Sequence, residues 1–353
     1  MKYFLSLFIW SCIVTLTSCA SLPSLPSSIN SQIKPQYALV IHGGAGTIRK
    51  KNIAPEKEAA YKAKLTQALK AGQSILEQGG SALDAVEASI TIMEDSPLFN
   101  AGKGAVFTHE YTIEMDAAIM DGRTLNAGAV AGITHIKNPI SLAREVMDNS
   151  EYVLLAGTGA EEFAKMRSIS LIDSAYFKTD RRLKQLERAI ERNGGVILDH
   201  DGDNKEYSGE PIDPDYKFGT VGAVAMDQYG NIAAGTSTGG LTNKRWNRIG
   251  DSPIIGAGTY ADNKSCGVSA TGHGEYFIRA TVARSICAMV EYKGISLKEA
   301  AHEIINKKLG KMGGRGGIVA IDKNGNISMT FNTQGMYRGY VKGKNEPTVF
   351  IYK

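Results

Sequence analysis

Apolar residues at Leu83, Val86, Ile90 and Met93 recur three or four positions apart, which is the spacing of one helix face, and predict a helix from Ser81 to about Glu94. A longer amphipathic helix is expected over Pro55 to Gln78, opened by Pro55 and Glu56 and stopped by Gly79-Gly80. Ahead of it, Tyr37 to Ile41 reads as a strand running into His42-Gly43-Gly44-Ala45-Gly46. Between Asp116 and His135 the period changes to alternation, with turns at Asp121-Gly122 and Asn126-Ala127-Gly128, as in paired strands. A charged helix is expected from Arg181 to Arg192. Asn193 to Asp215 then carries acidic residues, Gly and Pro with no periodicity, the mark of a lid, linker or processing segment.

Order returns at Thr220. Thr220–Asp227 and Asn231–Thr238 flank a turn at Gly230, and Gly317–Asp322 and Asn326–Thr330 flank one at Asn324-Gly325. Between these hairpins lie helical patterns at about Glu275 to Tyr292 and Ser296 to Leu309. Hairpins separated by helix pairs predict an α/β sandwich with antiparallel strands, because a doubly wound parallel sheet alternates helices and strands one by one.

Composition narrows this little: 353 residues, 43% hydrophobic and 22% charged, are ordinary globular values. The net charge of +4 is scattered, and no nucleic-acid-binding motif is present, so nucleic acid is not an expected partner. Lys2 and the apolar run Phe4 to Thr17 read as an export signal. Leu16-Thr17-Ser18-Cys19 has the form of a lipoprotein cleavage site, which makes residues 1–18 a signal, Cys19 a lipidation site and 19–36 a Ser/Pro-rich tether. The expected location is then the periplasm, on a membrane anchor; a plain secretory signal cut near Ala20 is the alternative. Of the four cysteines, Cys266 and Cys287 lie in the body. They are read as two buried thiols, although an oxidising compartment would let them pair. No metal-ligand spacing appears.

Thr220 carries the candidate chemistry. It follows Gly219 directly after the irregular segment and begins a strand. An N-terminal threonine needs no histidine, because its own α-amine, with a reference pKa of about 7.7–8.0, can take the hydroxyl proton. The spacing alone fits an ordinary β-branched strand residue at least as well. Its surroundings favour chemistry. Thr236, Ser237 and Thr238 lie on the partner strand. Arg248 offers a fork for a carboxylate and Asp251 an acceptor for an ammonium. Thr271 and Gly272 could aim a hydroxyl and an N–H at an oxyanion. Gly235-Thr236-Ser237-Thr238-Gly239 also matches a serine-hydrolase pattern, but Gly239-Gly240-Leu241 is a poor helix start. The glycine-rich stretch His42 to Gly46 lacks the lysine and spacing of a phosphate loop and is read as a tight structural turn beside the site. His42, His109 and His273 read as hydrogen-bonded structural histidines.

In order along the chain stand His42-Gly43-Gly44-Ala45-Gly46, Asn100-Ala101-Gly102, Met120-Asp121-Gly122, Gly219-Thr220-Val221-Gly222, Thr236-Ser237-Thr238-Gly239-Gly240, Gly250-Asp251-Ser252-Pro253, Thr271-Gly272-His273-Gly274-Glu275 and Phe331-Asn332-Thr333. As a set they resemble the plant-type asparaginases and isoaspartyl peptidases, a branch of the N-terminal nucleophile (Ntn) hydrolases. The resemblance implies a four-layer αββα sandwich, two largely antiparallel sheets between helices. It implies an α chain of residues 37–219, with about 193–217 as its linker, and a β chain of 220–353, released by cleavage between Gly219 and Thr220.

It further implies Thr220 as nucleophile, Thr238 as its hydroxyl partner, and Thr271 with Gly272 as oxyanion hole. Arg248, Asp251 and the Gly274 carbonyl would bind the substrate head group. The substrates implied are asparagine and β-aspartyl dipeptides, the assembly a homodimer of α/β pairs. No cofactor is implied beyond a sodium ion on carbonyls of the loop Met93 to Lys103. A glycosylasparaginase, or a binding module that kept the fold without turnover, are the other readings.

Overall fold

The computed structural model describes residues 37–191 and 219–353. The expected signal, the tether, Cys19, Arg192 and the linker from Asn193 lie outside them. No helix among the described residues is long and apolar enough to cross a membrane.

The strands in chain order are β1 Ala38–Gly46, β2 Met115–Asp121, β3 Ala127–Ile133, β4 Leu154–Ala156, β5 Val221–Met226, β6 Ile232–Thr238, β7 Thr259–Ala261, β8 Cys266–Gly272, β9 Gly316–Asp322, β10 Ile327–Phe331, β11 Gly335–Lys342 and β12 Thr348–Tyr352. The helices are α1 Pro55–Glu77, α2 Ala82–Glu94, α3 Pro139–Asn149, α4 Gly157–Met166, α5 Asp180–Glu191, α6 Gly274–Ala280, α7 Val282–Lys293 and α8 Leu297–His302. They build an eight-stranded sheet ordered β12-β11-β1-β5-β6-β2-β3-β4 and a four-stranded sheet ordered β10-β9-β8-β7. Among the described strands only the β3–β4 pair is parallel.

Side-chain alternation sorts the core into three layers. Leu39 and Ile41 of β1 and Val221, Ala223 and Ala225 of β5 pack with α1, α2 and α3 on one face of the large sheet. Ala38 and Val40, with Val224 and Met226, face the other way and meet Val319 and Ile321 of β9 between the sheets. Val268 and Ala270 of β8 and Ile318 and Ala320 of β9 cover the far side of the small sheet with α6, α7 and α8. The result is the expected helix–sheet–sheet–helix order, produced by the period-two geometry of strands covered on both faces.

Several expectations are corrected. The glycines after Ile41 do not make a tight turn. β1 continues through them to Gly46, with a register shift between His42 and Ala45 against β11. The helix expected over Glu275 to Tyr292 is two helices, broken at Thr281, whose backbone is left-handed at φ 45° and whose hydroxyl turns back to the Ala280 carbonyl at 2.8 Å. The following helix changes after His302 into a π-helical turn, Glu303–Leu309. Cys266 and Cys287 are not free thiols but a disulfide that ties the start of β8 to α7 across 21 residues. Apolar flanks made both positions read as buried, which they are; burial and pairing are not alternatives.

Candidate active site

The alternation that builds the core also aims the polar residues. On β6, Ile232 and Ala234 face the small sheet, so Thr236 and Thr238 share that face and Ser237 points oppositely. The Ser237 hydroxyl donates to Glu94 Oε1 at 2.6 Å within the helical layer. The serine-hydrolase pattern therefore places its serine on the wrong side of the sheet. Thr220, at the head of β5, lies on the inter-sheet side, 7% exposed, and its hydroxyl donates to Thr238 Oγ1 at 3.0 Å. Thr238 Oγ1 also accepts from the Gly240 N–H at 3.0 Å. Asn100 secures that corner, accepting Gly239 N–H on its carbonyl at 3.0 Å and donating Nδ2 to the Gly240 carbonyl at 2.8 Å.

His42, read from sequence as structural, proves central. Its Nδ1 lies 3.0 Å from the Thr220 carbonyl and its Nε2 3.0 Å from Ser269 Oγ. Burial holds the imidazole down to about 3, against the pull of the Thr220 carbonyl, so the ring is neutral. A carbonyl only accepts, hence Nδ1 carries the proton and Nε2 accepts from Ser269. Ser269 in turn accepts from Thr236 Oγ1 at 2.7 Å, and Thr236 from Thr259 Oγ1 at 2.6 Å. The series Thr259–Thr236–Ser269–His42 leads to the Thr220 carbonyl, with the Ser252 and Gly258 carbonyls as second acceptors for Thr259 and Thr236 at 3.1 and 3.3 Å. The series needs Gly222, because a Cβ there would stand 2.5 Å from His42 Nε2 and collide with Ser269 Oγ.

One narrow cleft gathers Gly219, Thr220, Thr238, Arg248, Asp251 and Gly272. Thr271, fully buried, precedes Gly272 at the end of β8, and its hydroxyl has no partner among the described residues. Gly274 opens α6 and packs on Arg248, where a Cβ would stand 2.6 Å from Nη2. Arg248 is not the open fork expected from sequence. Glu275 takes its Nε and Nη2, each at 2.9 Å, and Nη1 is left outside that pair. The adjacency of Glu275 to Gly274 was the available signal. Asp251 is 4% exposed; burial pushes its carboxyl up to about 7, while the Arg248 charge pulls it down. Nearby, burial raises Asp116 and lowers Lys244, whose ammonium reaches the Glu114 carbonyl at 2.9 Å. Among the described residues no cluster of His, Cys, Asp and Glu could hold a metal ion.

Comparison with known proteins accords with this geometry. The asparaginase family model matches residues 35–351. The chain belongs to the asparaginase family. Its members are Ntn hydrolases, and they need no cofactor. An isoaspartyl peptidase of Escherichia coli (strain K12) is 48% identical over 315 residues, 89% of this chain and 96% of that protein. A plant-type L-asparaginase of Pyrococcus abyssi is 43% identical, across 88% of this chain and 98% of that one. An isoaspartyl peptidase/L-asparaginase of Xenopus laevis is 41% identical, across 86% and 92% respectively.

The tight fit at Gly222 is testable in this asparaginase-family chain. Gly222→Ala should lose at least about 2 kcal/mol of stability, from overpacking and from the broken His42–Ser269 bond. Denaturant unfolding that matches the wild type would show that the series tolerates a methyl group there.

Proposed function

We propose that this chain cuts itself between Gly219 and Thr220 and then hydrolyses L-asparagine and β-aspartyl dipeptides, with Thr220 as nucleophile. The observation that carries the reading is the Thr220 hydroxyl, held on Thr238 immediately after Gly219, in the cleft that also holds Arg248 and Asp251. In maturation, Thr220 Oγ attacks the Gly219 carbonyl carbon, the peptide nitrogen leaves as the Thr220 α-amine, and water hydrolyses the resulting ester. In turnover that amine takes the hydroxyl proton as Oγ attacks the substrate's side-chain carbonyl. The unpartnered Thr271 hydroxyl and the Gly272 N–H meet the oxyanion. The proton passes to the leaving ammonia or amino acid, and water releases aspartate from the acyl-enzyme. Arg248 Nη1 binds the α-carboxylate while Glu275 steadies the rest of the guanidinium; Asp251 and the Gly274 carbonyl bind the α-amine.

The loop expected to hold sodium fits a carbonyl-bound monovalent cation. Gly102 and Gly104 omit Cβ atoms that would crowd the carbonyls of Glu94, Pro97 and Phe99. An ion there would stiffen the segment carrying Asn100 and takes no part in the chemistry.

Purified protein should therefore run as two fragments, the second beginning at Thr220, with the mature unit a dimer of α/β pairs in solution. Thr220→Ala should stay a single chain without amidase activity. A wild-type chain that stays uncut on prolonged incubation, by intact mass, would favour the binding-module reading.

The pH profile tests the head-group clamp. A neutral Asp251 cannot pair with an ammonium, and with a pKa of about 7 it ionises as pH rises through neutrality. The Thr220 amine moves toward free base over the same range. We expect kcat/KM for L-asparagine to rise at least about tenfold from pH 6 to pH 8; a flat or falling profile removes Asp251 from this role.

For location, we infer export and lipidation at Cys19, supported by the run Phe4 to Thr17 and by Leu16-Thr17-Ser18-Cys19. Wild type made in a Gram-negative host should pellet with membranes, and Cys19→Ser should not. Soluble periplasmic wild type with a mature end beyond Cys19 leaves the plain secretory signal.

A further inference from the structure

A second cleft opens where β1 ends. In the large sheet β5 lies between β6 and β1, so Thr220 has Thr238 on one side and the end of β1 on the other. The head-group residues belong to the β6 side, where Arg248 Nη1 approaches Gly240. The second cleft belongs to the β1 side, walled by Thr47, by Thr333 and Gln334 ahead of β11, and by Arg315 ahead of β9. The two clefts share no lining residue, and two backbone contacts link them. Gly44, just before this wall, would place a Cβ 2.7 Å from the Gly219 nitrogen. The Arg315 carbonyl, which accepts His273 N–H at 3.0 Å, lies against Gly272.

Most polar side chains of this wall are already engaged. Asn332 accepts Gly316 N–H and donates to the Ile305 and Gly314 carbonyls. Thr333 donates to Gly335, and Gln334 accepts from Arg49. Arg315 is different: it has no ion pair among the described residues. Thr47 is 7% exposed, with a buried hydroxyl that also has no partner there. Lys353 also lines the cleft, its ammonium 5.9 Å from the centre of the Phe331 ring, and no acidic side chain does. A cleft with an arginine outside any ion pair among the described residues and an orphaned hydroxyl, linked to the cleft of Thr220 through Gly44 and Gly272, suits a carboxylate on the leaving side of the amide to be cut.

We propose that this cleft is the subsite for the leaving residue of a β-aspartyl peptide, with Arg315 and the Thr47 hydroxyl receiving its α-carboxylate. The proposal rests on the Thr220 reading above. The substrate then lies across the strand heads from β6 to β1, its aspartyl head on Arg248 and Asp251 and its second residue beside Thr47. Ammonia, the leaving group of asparagine, gains nothing from the cleft. The chain is accordingly a dipeptidase first, selective for a free carboxyl end.

The test compares kcat/KM for β-aspartyl-leucine, its C-terminal amide and L-asparagine on wild type, Arg315→Ala, Arg315→Lys and Thr47→Val. Wild type should prefer the free acid over the amide by roughly tenfold or more, the usual weight of a charged hydrogen bond. Arg315→Ala should erase that preference and lower the dipeptide-to-asparagine ratio by roughly tenfold, with Arg315→Lys keeping part of it and Thr47→Val losing a smaller part. Equal rates on acid and amide in wild type, or an unchanged ratio in Arg315→Ala, overturn the subsite and leave the Thr220 mechanism standing. If Arg315→Ala fails to mature, the wild-type acid and amide rates decide alone. Wild type inactive on all three compounds removes the Thr220 reading and the subsite with it.

Discussion

The neutral imidazole of His42, bridging the Thr220 carbonyl to Ser269, is the contact on which the site depends. It joins the two sheets at the point where the inter-sheet layer turns from apolar to polar. Below it Val40, Val224, Val319 and Ile321 pack as an ordinary core. Above it stand the hydroxyls of Thr220, Thr236, Thr238 and Ser269. A buried polar series is stable only when each member is satisfied, and a neutral ring with one donor and one acceptor closes it without introducing a charge. The ring anchors the carbonyl of Thr220, one bond from the Cα that carries both the hydroxyl side chain and the nitrogen that would become the α-amine.

The charged groups around this frame are arranged in depth. Glu275 is half-exposed and pairs with Arg248 across two short hydrogen bonds. Asp251 is buried, with Oδ2 lacking a partner among the described residues, and its carboxyl is held near neutrality. Such an acceptor is costly until a cation meets it, so a substrate ammonium would relieve an existing cost as well as add a contact. On the helical side Glu94, pushed up to about 8 by burial against the pull of Ser237 and the Ile140 N–H, ties α2 to β6 and to the start of α3.

Much of this was legible in the chain. The helices over Pro55–Glu77 and Ala82–Glu94 and the hairpins at Gly230 and Asn324-Gly325 carry clear local signals, and the packing keeps them. Thr220, Thr238, Arg248, Asp251 and Gly272 were singled out from sequence, and they meet in one cleft. The misreadings share a cause. Glycines after Ile41 signal a turn locally, but a strand accepts them when a neighbour presses close, as Gly219 does on Gly44. Thr281 has no local reason to adopt a left-handed backbone; the junction of α6 with α7 requires it. Nothing near Cys266 or Cys287 announces the other, since pairing depends on where β8 and α7 lie in space.

Periodicity, caps and turns act over a few residues, so the sequence by itself determined which segments are helices and strands and which faces are apolar. It also singled out Thr220 as a nucleophile candidate, not from the glycine–threonine strand head alone but from its company with Thr238, Arg248, Asp251 and Thr271. Direction and partnership were decided by the tertiary structure. Whether Ser237 or Thr238 faces the site depends on which side of β6 the second sheet covers. The occupied Arg248 fork, the hydroxyl series through His42 and the cleft at Arg315 depend on side chains brought together from distant parts of the chain. Such contacts have no counterpart in spacing along the chain, because their energy arises only when two sheets close over the same few buried atoms.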